Sequence, residues 1–321
     1  MNKKLVNINI NFDSLFFPLS IDRCSMTDPS FFVIADRFFE FSLKYNFKYT
    51  IFIIGKDLEN PEVAARVRSW AEAGHEIGNH SYTHNPNLGS LSRQEMEFEV
   101  MKSHELITNC IGYEPKGFIS PSWSTSGDLI EILMKAGYIY DTSVFPSYFQ
   151  YFVLMKLMFL TGQKHPNFHP SFGLRRDKLA FFFAPRRPYF IGPESLIKKK
   201  SEGLLMLPLP VATALRIPCW HTMYFVFGKH LMNWLLLKTI REHEYFYYLV
   251  HPKDLVNYKT DLLDEFKNKY NTELAVFESL KMPIEEKTSY MDQALSLLAA
   301  SGRKFVTMRK MAENIIQQSK L

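Results

Sequence analysis

Between Leu5 and Asp141 the chain alternates short apolar runs with amphipathic ones, and this rhythm limits the fold more than any other feature. Residues 5–13 (LVNININFD) set Val6, Ile8, Ile10 and Phe12 against Asn7, Asn9 and Asn11, the period of a strand, and close on Asp13. Residues 28–46 (DPSFFVIADRFFEFSLKYN) have helical spacing behind Asp28 and Pro29. A short buried strand comes next in KYTIFIIG (48–55). Residues 60–74 predict a helix with Asn60 as its cap, Pro61 in its first turn and Gly74 at its end. HEIGNH (75–80) reads as a strand, and 92–112 as a helix opened by Ser92 and Glu95 in capping-box spacing. GFISP (117–121), TSGDLIEILMKAG (125–137) and YIYD (138–141) continue the series as strand, helix and strand. Strands joined through helices pair in parallel, so the expected core is α/β, a parallel sheet or barrel.

The rhythm breaks at residues 144–200, an insertion rich in Phe, Tyr, Pro, Arg and Lys. Its most apolar stretch, 147–164, reads in two ways. It is a buried helix, or an interfacial helix on a membrane with Lys156, Lys164, Arg175, Arg176, Arg186 and Arg187 facing lipid phosphate. Strands resume at LLMLPLP (204–210) and YFYYLVH (245–251), before a helix at 289–302 and a last strand at 304–308. No internal repeat is visible, so the expectation is one domain over 1–321 carrying an insertion.

Composition removes several function classes. The hydrophobic fraction of 46% and charged fraction of 22% belong to a globular chain. A net charge of +5 over this length is no footprint of nucleic-acid binding. Cys24, Cys110 and Cys219 lack CxxC spacing, which argues against a cysteine zinc site or disulfide framework. The N-terminus has no signal-peptide core, and no apolar run reaches the roughly 18 residues of a membrane span, so the expected location is the cytoplasm, at the inner membrane face if the interfacial helix docks. The absence of GxGxxG, P-loop and GxSxG motifs counts against dinucleotide, nucleotide and serine-hydrolase chemistry.

HEIGNHSYTH (75–84) concentrates three of the ten histidines. Neutral imidazole is a good ligand for divalent metals. His80 and His84 stand four apart, so one helical turn would set both rings on the same side. Two histidines and one carboxylate leave a coordination position open, the pattern of a hydrolytic metal centre, and Asp13 is the leading third ligand. In α/β barrels functional residues gather where strands end. Asp13, His80, His84, Pro121, Trp123, Asp141 and His251 all sit at such ends.

These motifs resemble those of the polysaccharide deacetylases (NodB-like carbohydrate esterases). AGHEIGNHSYTHNPNLGSLS is similar to the family's second motif. GFISPSWSTSGDLIEILMKAGYIYDTSVFP is similar to the third motif and the segment after it, and YYLVHPKDL to the late Leu-x-His motif. The resemblance implies a distorted (β/α) barrel and a divalent metal, expected to be zinc, held by one Asp and two His. It implies removal of an N-acyl group, acetyl or formyl, from an amino sugar in surface-glycan synthesis, with the sugar linked to a lipid or nucleotide. The family's first motif carries two acids, a general base and a metal ligand, where this chain has only Asp13. In one alignment, the favoured one, Asp13 is the ligand and Asn11 stands in the base position. In the other, Asp13 is the base and Ser14 replaces the ligand. Ile119 stands where the third motif has an Arg that pairs with the base, and loss of both is consistent, since a buried unpaired Arg is costly. His251 is expected to protonate the leaving amine. On the substrate side stand Pro121, Trp123 as a stacking surface or a core residue, His221 in the cleft wall or as an ordinary loop histidine, and Arg186 and Arg187 on a phosphate or on a solvated basic face. The rival reading is a barrel that binds glycan or a partner without turnover.

Overall fold

The structure is a computed structural model that describes residues 4–13, 30–148, 180–269 and 278–320. The apolar stretch 147–164 beyond Tyr148, together with Ser14, Cys24, Asp28, Pro29, Lys156, Lys164, Arg175 and Arg176, lies outside the described residues.

The expected alternation is present. Strands β1 (Leu5–Asn11), β2 (Thr50–Ile53), β3 (Glu76–Asn79), β4 (Gly117–Phe118) and β5 (Tyr140–Asp141) pair in parallel in sequence order. They are joined through helices α1 (Phe31–Lys44), α2 (Pro61–Glu72), α3 (Arg93–Ile111) and α4 (Gly127–Lys135). The predicted caps form. Asn60 accepts from the Glu62 N–H at 2.9 Å, and Ser92 and Glu95 close a reciprocal capping box. Gly112 ends α3 at φ +82°, a left-handed conformation that favours glycine.

The insertion joins the sheet. Strand β6 (Tyr189–Gly192) pairs antiparallel with β7 (Ser195–Lys200) and with β8 (Leu204–Met206), and β8 lies parallel to β5. A short pair, β9 (Val211–Ala212) and β10 (Ile217–Pro218), comes next, then helix α5 (Met223–Glu242). Strand β11 (Tyr245–Val250) returns to lie parallel beside β1. Helix α6 (Asp264–Lys269), helix α7 (Ile284–Ala300), strand β12 (Lys304–Phe305) against β1, and helix α8 (Met308–Ser319) complete the order. The sheet runs β11-β1-β2-β3-β4-β5-β8-β6-β7. It is the curled, parallel-dominated half-barrel expected of a distorted (β/α) barrel.

Every residue of β1 is buried, so both faces of the strand are covered. Val6, Ile8 and Ile10 join the main apolar cluster, each such fully buried side chain contributing about 1.5–3 kcal/mol. On the asparagine face Asn7 joins a polar network, while both amide atoms of buried Asn9 have no hydrogen-bond partner among the described residues. Asn7 Nδ2 donates to Thr50 Oγ1 at 3.0 Å, and Thr50 Oγ1 donates to Glu76 Oε2 at 2.8 Å. The Tyr140 hydroxyl donates to Glu76 Oε1 at 2.7 Å, and the Arg309 N–H to Oε2 at 2.8 Å. This buried carboxyl, raised in pKa by its burial, ties β1, β2, β3 and β5 to the start of α8. The network lies at the opening ends of the strands and leaves the closing ends to the histidines.

Candidate metal centre

Asp13 stands two residues past β1, His80 directly after β3, and His84 four residues on. The Asp13 Oδ1 atom is 3.0 Å from His80 Nε2 and 3.5 Å from His84 Nε2. One donor atom from each of the three residues lies within 4.8 Å of the others. His80 Nδ1 lies 2.7 Å from the Ile119 carbonyl, which can only accept, so Nδ1 carries a proton and Nε2 is the ring atom turned to Asp13, the one left to coordinate an ion. Burial raises the Asp13 pKa, but the charge of His84 and the hydrogen bonds of both rings outweigh it and hold the carboxyl well below its usual range.

A divalent ion fits this set. Tetrahedral zinc with bonds of roughly 2.0–2.2 Å separates its ligand atoms by about 3.4 Å, and the two measured separations bracket that value. Asp13 Oδ1 has no other hydrogen-bond partner to compete among the described residues.

The histidines do not share a helical turn as their spacing suggested. Ser81 (φ +63°) and His84 (φ +60°) are both left-handed, and this doubled bend brings the rings edge-to-face with centroids 4.7 Å apart. Several partners hold the bend. Asn79 Oδ1 accepts from Ser81 N–H at 2.8 Å, and Ser81 Oγ from His84 N–H at 3.1 Å. Glu99, buried on α3, accepts from the N–H groups of Tyr82 and Thr83 at 3.1 and 2.9 Å and from the Thr83 hydroxyl. Glu99 was not among the residues expected from the sequence. Its signal was an acid three residues from Met96 and next to Val100 on the buried face of the helix.

Asn11 is 4% exposed, two residues before Asp13 on the same strand face, and its Oδ1 has no hydrogen-bond partner among the described residues. Ile119 is fully buried and serves the centre through its carbonyl. His251 comes directly after β11. Burial and then Lys253 push its pKa down to about 3, and it feels the charges of Asp13, His80 and His84. It is therefore a neutral ring next to the centre. The Asp254 carboxylate accepts from its backbone N–H at 2.8 Å and from the Thr222 hydroxyl at 2.9 Å, which sets the turn carrying the ring.

Pro121 and Trp123 form a tight turn after β4, with Ser122 and Trp123 at φ +51° and +54°. Trp123 stacks on Trp220, centroids 5.2 Å apart and planes 10° from parallel, and packs against Phe145. One face of Trp123 is therefore committed to packing, although the residue stays half-buried.

The expected substrate-side residues His221, Arg186 and Arg187 take different places in the fold. His221 is fully buried, with Nδ1 2.9 Å from the Tyr248 hydroxyl and its ring among Tyr224, Phe225 and Tyr248; its Nε2 has no hydrogen-bond partner among the described residues, and it feels the charge of His251. Arg186 and Arg187 line a hollow that also includes His243, at the opposite end of β11 from His251. Eight extended residues separate those histidines by roughly 25 Å. The arginines are remote from the centre because their segment leads into β6 and contacts the 213–216 turn, where Arg186 donates to the Thr213 carbonyl. Asp141, also at a strand end, bonds Ser143 and has no electrostatic tie to the three ligands.

Residues 33–140 match the family model described as Polysaccharide deacetylase. The match includes His80 and His84 and stops short of Asp13 and His251. A peptidoglycan deacetylase of Helicobacter pylori is 35% identical over 101 residues, 32% of this chain and 33% of that protein. A peptidoglycan-N-acetylglucosamine deacetylase of Bacillus cereus is 36% identical over 93 residues, 29% of this chain and 31% of that protein. The chain thus matches about a third of the length of these curated relatives. A solved structure of a proposed polysaccharide deacetylase from Mycobacterium smegmatis aligns over 99% of this chain and 92% of its own, with a TM-score of 0.56 and 14% identity, a likeness of fold. Among the described residues no helix is long and apolar enough to cross a membrane.

Proposed function

From a chain that carries a polysaccharide deacetylase domain at residues 33–140, we propose a metal-dependent hydrolase that removes an N-acyl group, acetyl or formyl, from an amino sugar of a glycan. The observation that carries this reading is the convergence of Asp13, His80 and His84, with the His80 tautomer set by the Ile119 carbonyl. Their two-nitrogen, one-oxygen donor set suits zinc. A bound ion would polarise the acyl carbonyl and acidify a water molecule.

The protein's own groups then divide the remaining work. Asn11 carries no titratable proton, so the centre has no second carboxylate to act as base. His251 is adjacent to the centre, and its ring is the group placed to take the proton that the attacking water releases and return it to the departing amine nitrogen. Asp254 and Thr222 fix the turn that presents this ring. Trp123, braced by Trp220, offers its remaining face to a sugar. The arginines do not hold a carrier phosphate here, since a phosphate joined directly to the sugar undergoing deacylation cannot span the length of β11.

A second reading, a glycan-binding barrel without turnover, is favoured by one observation: the amide of Asn11 in place of an acid beside the ligands. Incubating zinc-loaded protein with N-acetylglucosamine oligomers separates the two. Release of acetate or formate that disappears in His80→Ala supports the hydrolase. Glycan binding without release supports the second reading, and neither release nor binding overturns both.

A further inference from the structure

The hollow at the far end of β11 has a chemistry of its own. It encloses about 650 Å³ and is lined by Arg186, Arg187, Lys199, Arg241, Glu242 and His243 among others. Its charges are unbalanced. Among the described residues Arg187, Lys199 and Arg241 have no ion pair, while their neighbours do: Lys200 pairs with Glu194, and Lys238 with Glu242 at 3.3 Å. Glu242, the acid in the wall, is already committed to Lys238 and to the Thr213 N–H at 3.3 Å. The floor is fixed. Arg186 holds the Thr213 carbonyl, Arg216 donates to the Ala184 carbonyl at 2.8 Å, and Thr213 and Arg216 are locked at φ +61° and +54°. Buried His243 bonds the Val211 carbonyl through Nε2, and its pKa is lowered by burial and also by Arg186 and Arg187. The hollow is thus a preorganised positive cup in which the described residues supply no spare anion. Phe183 (80% exposed) and Leu215 (70%) lie within two residues in sequence of the wall residues Pro185 and Ala214.

We propose that this cup is a phosphate-binding site, separate from the metal centre, in which Arg187, Lys199 and Arg241 grip the oxygens of a phosphate ester or pyrophosphate on the floor held by Arg186. Guanidinium forks match phosphate oxygens in geometry and charge. A free phosphate compound and a lipid headgroup offer the same group. Phe183 and Leu215 add an apolar contact that only the lipid would use.

The test uses the full chain and two probes at constant ionic strength. The probes are pyrophosphate by calorimetry, and phosphatidylcholine vesicles with and without phosphatidylglycerol by sedimentation. The triple variant Arg187→Gln/Lys199→Gln/Arg241→Gln alters solvent-facing side chains, and its melting temperature and zinc affinity report that fold and metal centre are intact. Neutralising each cationic side chain weakens binding by about tenfold or more. Pyrophosphate binding abolished in the triple variant supports the site with a free phosphate ligand. Sedimentation with phosphatidylglycerol vesicles alone, abolished in the triple variant and in Phe183→Ser/Leu215→Ser, supports it with a lipid ligand. No binding of either probe, or binding that survives the triple variant, overturns the proposal. Failure to release acetate leaves it standing, because the cup shares no residue with the metal centre.

Discussion

Asp141→Asn tests how strongly the sheet resists a buried charge. The carboxyl is fully buried at the end of β5; Oδ1 accepts the Ser143 hydroxyl at 2.5 Å, and Oδ2 has no hydrogen-bond partner among the described residues. Burial pushes its pKa up from 3.8 to about 7, against the lowering effect of the Ser143 hydroxyl and the Ser143 and Thr142 N–H groups. Between those values the folded chain holds a proton that the unfolded chain has lost. Stability from this group is therefore complete below the unfolded pKa and declines as pH rises to about 7. At about 1.36 kcal/mol per pH unit, the loss is on the order of 4 kcal/mol. Asparagine keeps the shape and the accepting oxygen and removes the titration. Urea midpoints for both proteins at several pH values between about 5 and 8 isolate the effect, because other groups cancel in the difference. The variant should gain on the wild type steadily as pH rises and lead by about 2–4 kcal/mol above neutrality. A difference that stays flat across this window would refute the reasoning.

Three more outcomes rest on the same geometry. Glu99→Ala strips the hydrogen bonds from Tyr82 and Thr83 and should weaken zinc binding by about 10–100-fold in a chelator competition assay, with both histidines still present. Asn11→Asp should raise acyl release by about 10²-fold, the low end for a general base, because Ile119 gives the new carboxylate no cation; unchanged turnover would mean His251 already suffices. Gly89→Ala would place a Cβ 2.6–2.8 Å from the Thr125 backbone and should cost about 1–3 kcal/mol in urea denaturation.

The parallel core was readable because its signals are local. Asn60, Ser92 and Gly112 mark helix ends by their own chemistry, and β1 carries its period in seven consecutive residues. The ligand set was readable in identity but not in conformation. HxxxH spacing fits a helical turn, whereas the bend at Ser81 and His84 depends on Glu99 and Asn79, which act through tertiary contacts that no local pattern encodes. The placement of Arg186, Arg187 and His221 was not legible for a related reason. Residue type suggested phosphate or cleft chemistry, but position depends on how the β6–β7 hairpin joins β8 and on how α5 returns the chain to β11.

The central claim concerns Asp13, His80 and His84, and zinc binding measured by calorimetry, with X-ray absorption of the loaded protein, tests it most directly. The wild type should bind one equivalent through two imidazoles and a carboxylate, and Asp13→Asn and His80→Ala should each lose that binding while keeping their fold. Zinc held with undiminished affinity in both variants would contradict the account.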